Sequence, residues 1–112
     1  MSSPVILYMT AATHDEAARI GRALVEEQLA ACVNVLAPMT SLYRWEGAVQ
    51  QEQEVPFLAK TRGELVEAVI ARVTALHSYD CPCIVALPIS GGNPAFLRWV
   101  EEQTENLSSS EG

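Results

Sequence analysis

The stretch with the greatest concentration of reactive side chains is His77-Ser-Tyr-Asp-Cys-Pro-Cys83, which holds two of the three cysteines and one of the two histidines. Cys81 precedes a proline and is therefore biased towards an extended backbone. Residues i and i+2 of an extended segment face the same side, so both thiols are expected to lie together, with His77 behind them. Two thiolates and an imidazole suit copper or zinc. The segment predicts a candidate metal site of His77, Cys81 and Cys83.

The same segment has two other interpretations, because C-x-C spacing alone is a weak metal signal. Cys81 and Cys83 can be small packing residues, with His77 on the surface and the segment only a turn between a helix and a strand. In the second interpretation, Cys81 and Cys83 form a redox pair, although an extended C-P-C holds the sulfurs too far apart for an unstrained disulfide. The third cysteine, Cys32, is expected to pack in the core.

Capping patterns and apolar stripes predict three helices. Thr13 to Glu16 reads T-x-x-E, with Thr13 as N-cap and Glu16 bonding the Thr13 amide. The same pattern recurs at 61–64, and Asn93 followed by proline predicts a third helix start. With apolar residues at helical spacing behind each start, the predicted helices cover 13–29, 63–76 and about 93–104.

The strands follow from short apolar runs and from a long segment rich in β-branched and aromatic residues. Strands are predicted over 4–9 and 83–89, and a hairpin of two long strands over 31–45 and 48–60. Gly47 supplies the positive φ of its tight turn. Pro38 and Pro56 lie inside the long strands, and each predicts a bulge, a kink or a stretch that faces no partner.

This element order predicts an α+β fold, a ferredoxin-like βαββαβ sandwich with a long central β-hairpin and a C-terminal helix. The helices are expected on one face of an antiparallel sheet. A length of 112 residues predicts a single domain over 1–112. Its ordered core is expected over about 4–104, and residues 105–112 are expected to be a flexible tail.

The predicted hairpin is longer than the globule that carries it. Strands of 13–15 residues extend roughly 43–50 Å, whereas a domain of this length is about 35 Å across. The overhang is expected to be covered by other copies of the chain, with the alternative of a hairpin bent back over its own core. The candidate interface residues are Tyr43, Trp45, Glu46 and Trp99, since aromatic residues concentrate at protein interfaces.

Composition excludes several classes of partner. A net charge of −7 argues against nucleic acids and anionic membrane surfaces. No apolar run approaches the 18 residues of a membrane span. The N-terminus lacks a basic leader, and an odd number of cysteines without a secretory signal favours reduced thiols in the cytoplasm.

Several motifs together resemble the CutA divalent-cation tolerance family from about Val5 to Val100: A-C-V-N, S-x-Y-x-W-E-G, K-T, H-x-Y and a terminal W-V. The resemblance implies a homotrimer similar in architecture to the PII signalling proteins. It also implies a cytoplasmic role in divalent cation (copper) tolerance and no catalysis. The family commonly reads H-P-Y-E-x-P-E where this chain reads H-S-Y-D-C-P-C, so Cys83 replaces an acidic residue and Cys81 is added.

The PII-like architecture implies a second candidate site at the subunit interface. Lys60 is the only lysine of the chain and lies beside a predicted helix N-terminus, where anions bind readily. Glu54, Lys60 and Tyr79 are the residues predicted to line such a cleft around a small anionic ligand. The alternatives are a structural ion pair of Lys60 with Glu52 or Glu54, and a structural trimer that anchors a partner protein.

Overall fold

A five-stranded antiparallel sheet is the centre of the fold in the computed structural model, which describes residues 3–104. Its strands pair in the order β2-β4-β1-β5, and β3 pairs with the N-terminal half of β4. This confirms the predicted ferredoxin-like sandwich. The elements are β1 (Pro4–Ala11), α1 (His14–Glu26), β2 (Cys32–Val35), β3 (Met39–Trp45), β4 (Ala48–Arg62), a 3-10 turn (Gly63–Leu65), α2 (Val66–Leu76), β5 (Ile84–Pro88) and α3 (Pro94–Glu102).

Alternation along the strands separates the two faces of the sheet. Leu7 pairs with Ala59, and Met9 pairs with Phe57; all four side chains belong to the buried core together with residues of α1 and α2. Tyr8 lies opposite Leu58 on one side and Val85 on the other, so these three residues share the other face of the sheet. We call this second face, which α1 and α2 leave uncovered, the open face.

The central hairpin extends beyond the rest of the chain, as predicted. The molecule measures 49 × 28 × 25 Å, and β4 alone has 15 residues. Both turn residues, Glu46 and Gly47, have positive φ. Leu42, Trp45 and Val49 are 67%, 61% and 66% exposed, so the alternative of a hairpin bent back over its own core is wrong.

The two hairpin prolines act differently. The predicted strand 31–45 is divided into β2 and β3 at 36–38, where Pro38 ends the pairing. Pro56 stays inside the continuous β4 because it lies opposite this break, with its carbonyl accepting from the Leu36 amide at 3.0 Å. Pro56 also pairs with Thr10 of β1 on its other side, but its nitrogen lies on the same side as its carbonyl, towards the break, so the missing N–H removes no hydrogen bond to a strand.

The helix caps were predicted correctly at two of three starts. The Thr13 hydroxyl accepts from the Glu16 amide, and the Asn93 side chain accepts from the Ala95 amide. Glu16 bonds the amide of Ala12 at 3.1 Å, not that of Thr13. The cap predicted at 61–64 is wrong, because the Thr61 hydroxyl instead donates to the Leu29 carbonyl in the core.

The remaining boundaries differ by a few residues. The first helix ends at Glu26, because Gln28 has a φ of 61°. The last strand begins at Ile84, so Cys83 lies just outside it. The predicted tail, 105–112, lies outside the described residues. Between residues 3 and 104, no helix is long and apolar enough to cross a membrane.

Candidate functional site

A cleft of about 660 Å³ lies on the open face between the β3–β4 hairpin and the segment that joins α2 to β5. We call this segment, residues 77–83, the 77–83 loop. A much smaller cavity beneath α3 has a volume of about 10 Å³ and holds one water at most. The cleft is lined by Tyr8, Thr10, Met39, Ser41, Leu42, Tyr43, Trp45, Glu52, Glu54, Tyr79, Asp80, Cys81 and Cys83.

Strand geometry explains which side chains reach the cleft. Tyr8 and Thr10 of β1 alternate with core residues and therefore point to the open face. Glu52 and Glu54 of β4 do the same, beyond the point where β1 ends. The 77–83 loop then brings the thiols of Cys81 and Cys83, both free and exposed, to the opposite wall.

The cleft carries negative charge. Among its lining residues three are acidic and none is basic. The Tyr79 hydroxyl donates to Glu54 at 3.1 Å, and burial together with this carboxylate raises the pKa of Tyr79 to about 12. Burial, reinforced by Glu54, also raises the pKa of the Cys83 thiol. The site therefore disfavours further negative charge and favours cations.

His77 is buried beneath the cleft, contrary to the interpretation that places it on the surface. Its side chain is 0% exposed. Nε2 lies 2.7 Å from the Thr10 carbonyl oxygen, which only accepts, so this nitrogen carries the proton. Nδ1 accepts from the Tyr79 amide at 3.0 Å. Both ring nitrogens are occupied by backbone groups.

Glu16 has a structural role at the site, and sequence reasoning identified it only as part of a helix cap. Its side chain is 7% exposed and accepts from two amides, Ala12 at 3.1 Å and Ser78 at 2.7 Å. The carboxylate thus ties the start of α1 to the 77–83 loop. A glutamate in a capping pattern is the only sequence signal at this position, and this pattern does not predict the hydrogen bond from the Ser78 amide.

The structure does not bring His77, Cys81 and Cys83 together as one metal site. Cys81 and Cys83 line the cleft, whereas the imidazole is sealed beneath it and has no free nitrogen. Across residues 3–104, no three or more histidine, cysteine or acidic side chains are arranged to hold a metal ion. Cys32, outside the cleft, is half-buried on the edge strand β2.

Nor does the structure bring Lys60 into the cleft with Glu54 and Tyr79. Its Nζ donates to the Asn34 side chain at 2.8 Å and lies 5.9 Å from the centre of the Phe96 ring. The alternative ion pair with Glu52 or Glu54 is wrong, because six and more residues of extended strand separate them by roughly 20 Å or more. Glu54 pairs with Tyr79 instead.

The predicted interface residues lie in two places. Tyr43 and Trp45 line the cleft, and the Tyr43 hydroxyl donates to Glu52 at 2.7 Å. Glu46 lies exposed at the hairpin turn. Trp99 of α3 is 39% exposed and stacks near Phe96, with ring centres 5.6 Å apart. The aromatic residues of the hairpin therefore belong to the cleft as well as to the overhang.

These features define a class, a ferredoxin-like α+β protein whose overlong hairpin forms one wall of an acidic cleft on the open face. Residues 5–103 match the model of the CutA1 divalent ion tolerance protein family. The chain belongs to this family, as its motifs predicted.

Individual relatives agree with this assignment. The chain is 46% identical over 99 residues to the divalent-cation tolerance protein CutA of Thermus thermophilus, covering 88% of this chain and 96% of that protein. It is 40% identical over 103 residues to mouse Protein CutA, covering 92% of this chain but 58% of the mouse protein. The structure of the periplasmic divalent cation tolerance protein CutA from Archaeoglobus fulgidus matches with a TM-score of 0.88 at 42% identity, over 91% of this chain and 99% of that one.

Proposed function

We propose that this chain is a metal-cation-binding protein of divalent-cation tolerance and that cations bind in the cleft. The observation that carries the proposal is the donor set of its walls. Glu52, Glu54 and Asp80 offer carboxylates, and Cys81 and Cys83 offer thiols, with no basic residue among the lining side chains. Thiolates suit copper and zinc, and zinc also accepts carboxylate oxygens. The relative from Thermus thermophilus carries cation tolerance in its name.

The role is one of binding without catalysis. A Cys–His nucleophile pair needs an imidazole with a free nitrogen close to the thiol. His77 gives both nitrogens to backbone groups, which argues against such a pair with Cys81 or Cys83. The cleft's acidic walls likewise favour a cation over the anionic ligand of a PII-like sensor.

Replacing Glu54 by glutamine tests the cleft directly. The amide keeps an acceptor for the Tyr79 hydroxyl but removes one of the cleft charges. We expect the dissociation constants for Cu²⁺ and Zn²⁺ to rise roughly three- to tenfold, because one nearby carboxylate no longer attracts the cation. Equilibrium dialysis of the untagged protein measures this, together with its metal content as purified.

The matched control is Glu67→Gln, which removes the same charge from an exposed position in the first turn of α2. It should leave both constants unchanged. Equal effects of the two substitutions would indicate a general charge effect and contradict a site in the cleft. A wild-type protein that binds neither cation would contradict the proposed function altogether.

We further propose a homotrimer. The apolar side chains of the overhang have no covering element within residues 3–104, and Val85 and Leu87 of the edge strand β5 are 49% and 51% exposed. Exposed apolar surface on an edge strand and an isolated ribbon is unfavourable in water. Other copies of the chain would cover both.

A charge placed in the overhang should prevent this assembly. Leu42→Glu puts a carboxylate on a side chain that is 67% exposed in the single chain, where burial against another copy would carry a desolvation cost. We expect light scattering to give three times 12.2 kDa for the wild type and a lower mass for the variant. Val25→Glu, an equivalent change on α1, should remain trimeric; a trimeric Leu42→Glu would contradict this interface.

Localisation in the cytoplasm is part of the same proposal. Cys81 and Cys83 are free and exposed, and such thiols persist in reducing compartments. The Archaeoglobus fulgidus relative is periplasmic by name, so fractionation of cells that produce this chain is the check. Recovery with the periplasmic fraction would contradict it.

A further inference from the structure

We propose that Cys81 and Cys83 form a two-coordinate site for a monovalent soft cation of the Cu(I) class. This inference rests on the proposed function, since it names the cation and the ligands within the same cleft. It replaces the three-ligand site predicted from the sequence with one built from sulfur alone.

The first step is the removal of His77 from the ligand set. Its ring is completely buried, and Nε2 and Nδ1 are both hydrogen-bonded to backbone groups of Thr10 and Tyr79. The ring does not line the cleft, and to bind a cation there it would have to give up at least one of these bonds. The two thiols remain as the soft ligands of the cleft.

The second step is the coordination number. Zinc takes four ligands, so a zinc ion on these two thiols would have to draw in carboxylates, because no group of three or more ligands is already assembled in the part of the chain that the structure describes. A site of two sulfurs therefore favours a cation that is stable with two ligands, which is the preference of Cu(I) and Ag(I). Soft thiolates select Cu(I) over hard divalent ions, whereas the nearby carboxylates are hard donors.

The third step is the distance between the sulfurs. Two residues apart, the α-carbons of Cys81 and Cys83 are at most about 7 Å from each other. A linear sulfur–metal–sulfur unit spans roughly 4.6 Å, taking about 2.3 Å for a metal–thiolate bond. That span is more than twice the length of a disulfide bond, so a cation can bridge thiols that do not join directly.

The fourth step concerns the backbone and the charges around the two cysteines. Pro82 between the cysteines fixes its own φ and restricts Cys81, so little freedom is lost when both sulfurs bind one ion. Both thiols are free, exposed and on the same cleft. Glu54 and Asp80 supply negative charge around the cation without competing as soft ligands.

The test is an anaerobic titration of the full chain, reduced, with Cu(I) in competition with a chromophoric Cu(I) chelator. The wild type is expected to bind one Cu(I) per chain, and Cys81→Ser/Cys83→Ser to bind it at least 100-fold more weakly. Ag(I), which undergoes no redox chemistry here, should also bind more tightly to the wild type than to the double variant. Cys32→Ser, which removes the thiol outside the cleft, is the matched control and should bind as the wild type does.

X-ray absorption at the copper edge supplies an independent readout, with two sulfur neighbours and no nitrogen expected. Unchanged Cu(I) affinity in the double variant, or an imidazole nitrogen in the absorption spectrum, would overturn the inference. Retention of Cu²⁺ or Zn²⁺ binding by a double variant that has lost only Cu(I) would support it. If the wild type binds divalent cations but not Cu(I), this inference fails while the proposed function stands.

Discussion

His77→Ala is expected to lower the free energy of unfolding by about 3–5 kcal/mol. The substitution leaves a cavity where a fully buried ring had packed and removes partners from the Thr10 carbonyl and the Tyr79 amide. Each orphaned buried group costs about 1–3 kcal/mol, to which the cavity adds. Urea denaturation at one fixed protomer concentration measures the loss, since assembly would otherwise contribute.

His14→Ala is the matched control, because His14 is the only other histidine and is exposed at the start of α1. It should change stability by less than about 0.5 kcal/mol. His77→Gln, which can still donate to Thr10, should lie between the two. Equal stabilities for the His77→Ala and His14→Ala variants would contradict the burial and the hydrogen bonds described above.

Glu16→Ala is expected to cost about 2–4 kcal/mol. A capping side chain alone contributes about 1 kcal/mol, and here the same carboxylate also accepts from the Ser78 amide at 2.7 Å. Removing it leaves that amide and the Ala12 amide without their acceptor. Asp15→Ala, at the exposed neighbouring position, should cost below about 1 kcal/mol, because only the favourable helix-dipole interaction is lost. Similar losses at the two positions would contradict the role assigned to Glu16.

The contribution of Glu16 should also depend on pH. Burial raises its pKa, but hydrogen bonds from Ser78 and Ala12 outweigh burial and leave the pKa below the ordinary 4.5. A carboxyl whose folded pKa is lowered stabilises the fold fully above its unfolded pKa and loses that contribution as the pH falls through the folded value. The difference in unfolding free energy between the wild type and Glu16→Gln should therefore shrink below about pH 4.5. A difference that stays constant from pH 7 to pH 3 would contradict this.

Local patterns predicted most of the fold correctly. The Thr13 and Asn93 caps and the turn at Gly47 each depend on neighbouring residues, and each appears as predicted. One error, the cap predicted at 61–64, occurred where a distant element competed for the same side chain. Thr61 failed to cap a helix because the Leu29 carbonyl, 32 residues away, accepts its hydroxyl proton.

The candidate site was less predictable. Spacing placed Cys81 and Cys83 together in one cleft, because two residues of one short segment cannot separate far. The burial of His77 could not be predicted in the same way. Its proton is accepted by Thr10, 67 residues earlier, and no local pattern encodes that contact.

By itself, then, the sequence determined the family, the element order, the length of the hairpin and the closeness of the two thiols. Each of these depends on periodicity, on motif spacing or on residues that are close together along the chain. Only the tertiary structure shows that the buried side chains of His77 and Glu16 hold the 77–83 loop by hydrogen bonds to β1 and α1. It also shows that Lys60 donates a hydrogen bond to Asn34 outside the cleft. Those roles arise when β1, α1 and the loop pack against one another, because burial and hydrogen-bond partners depend on which distant groups meet.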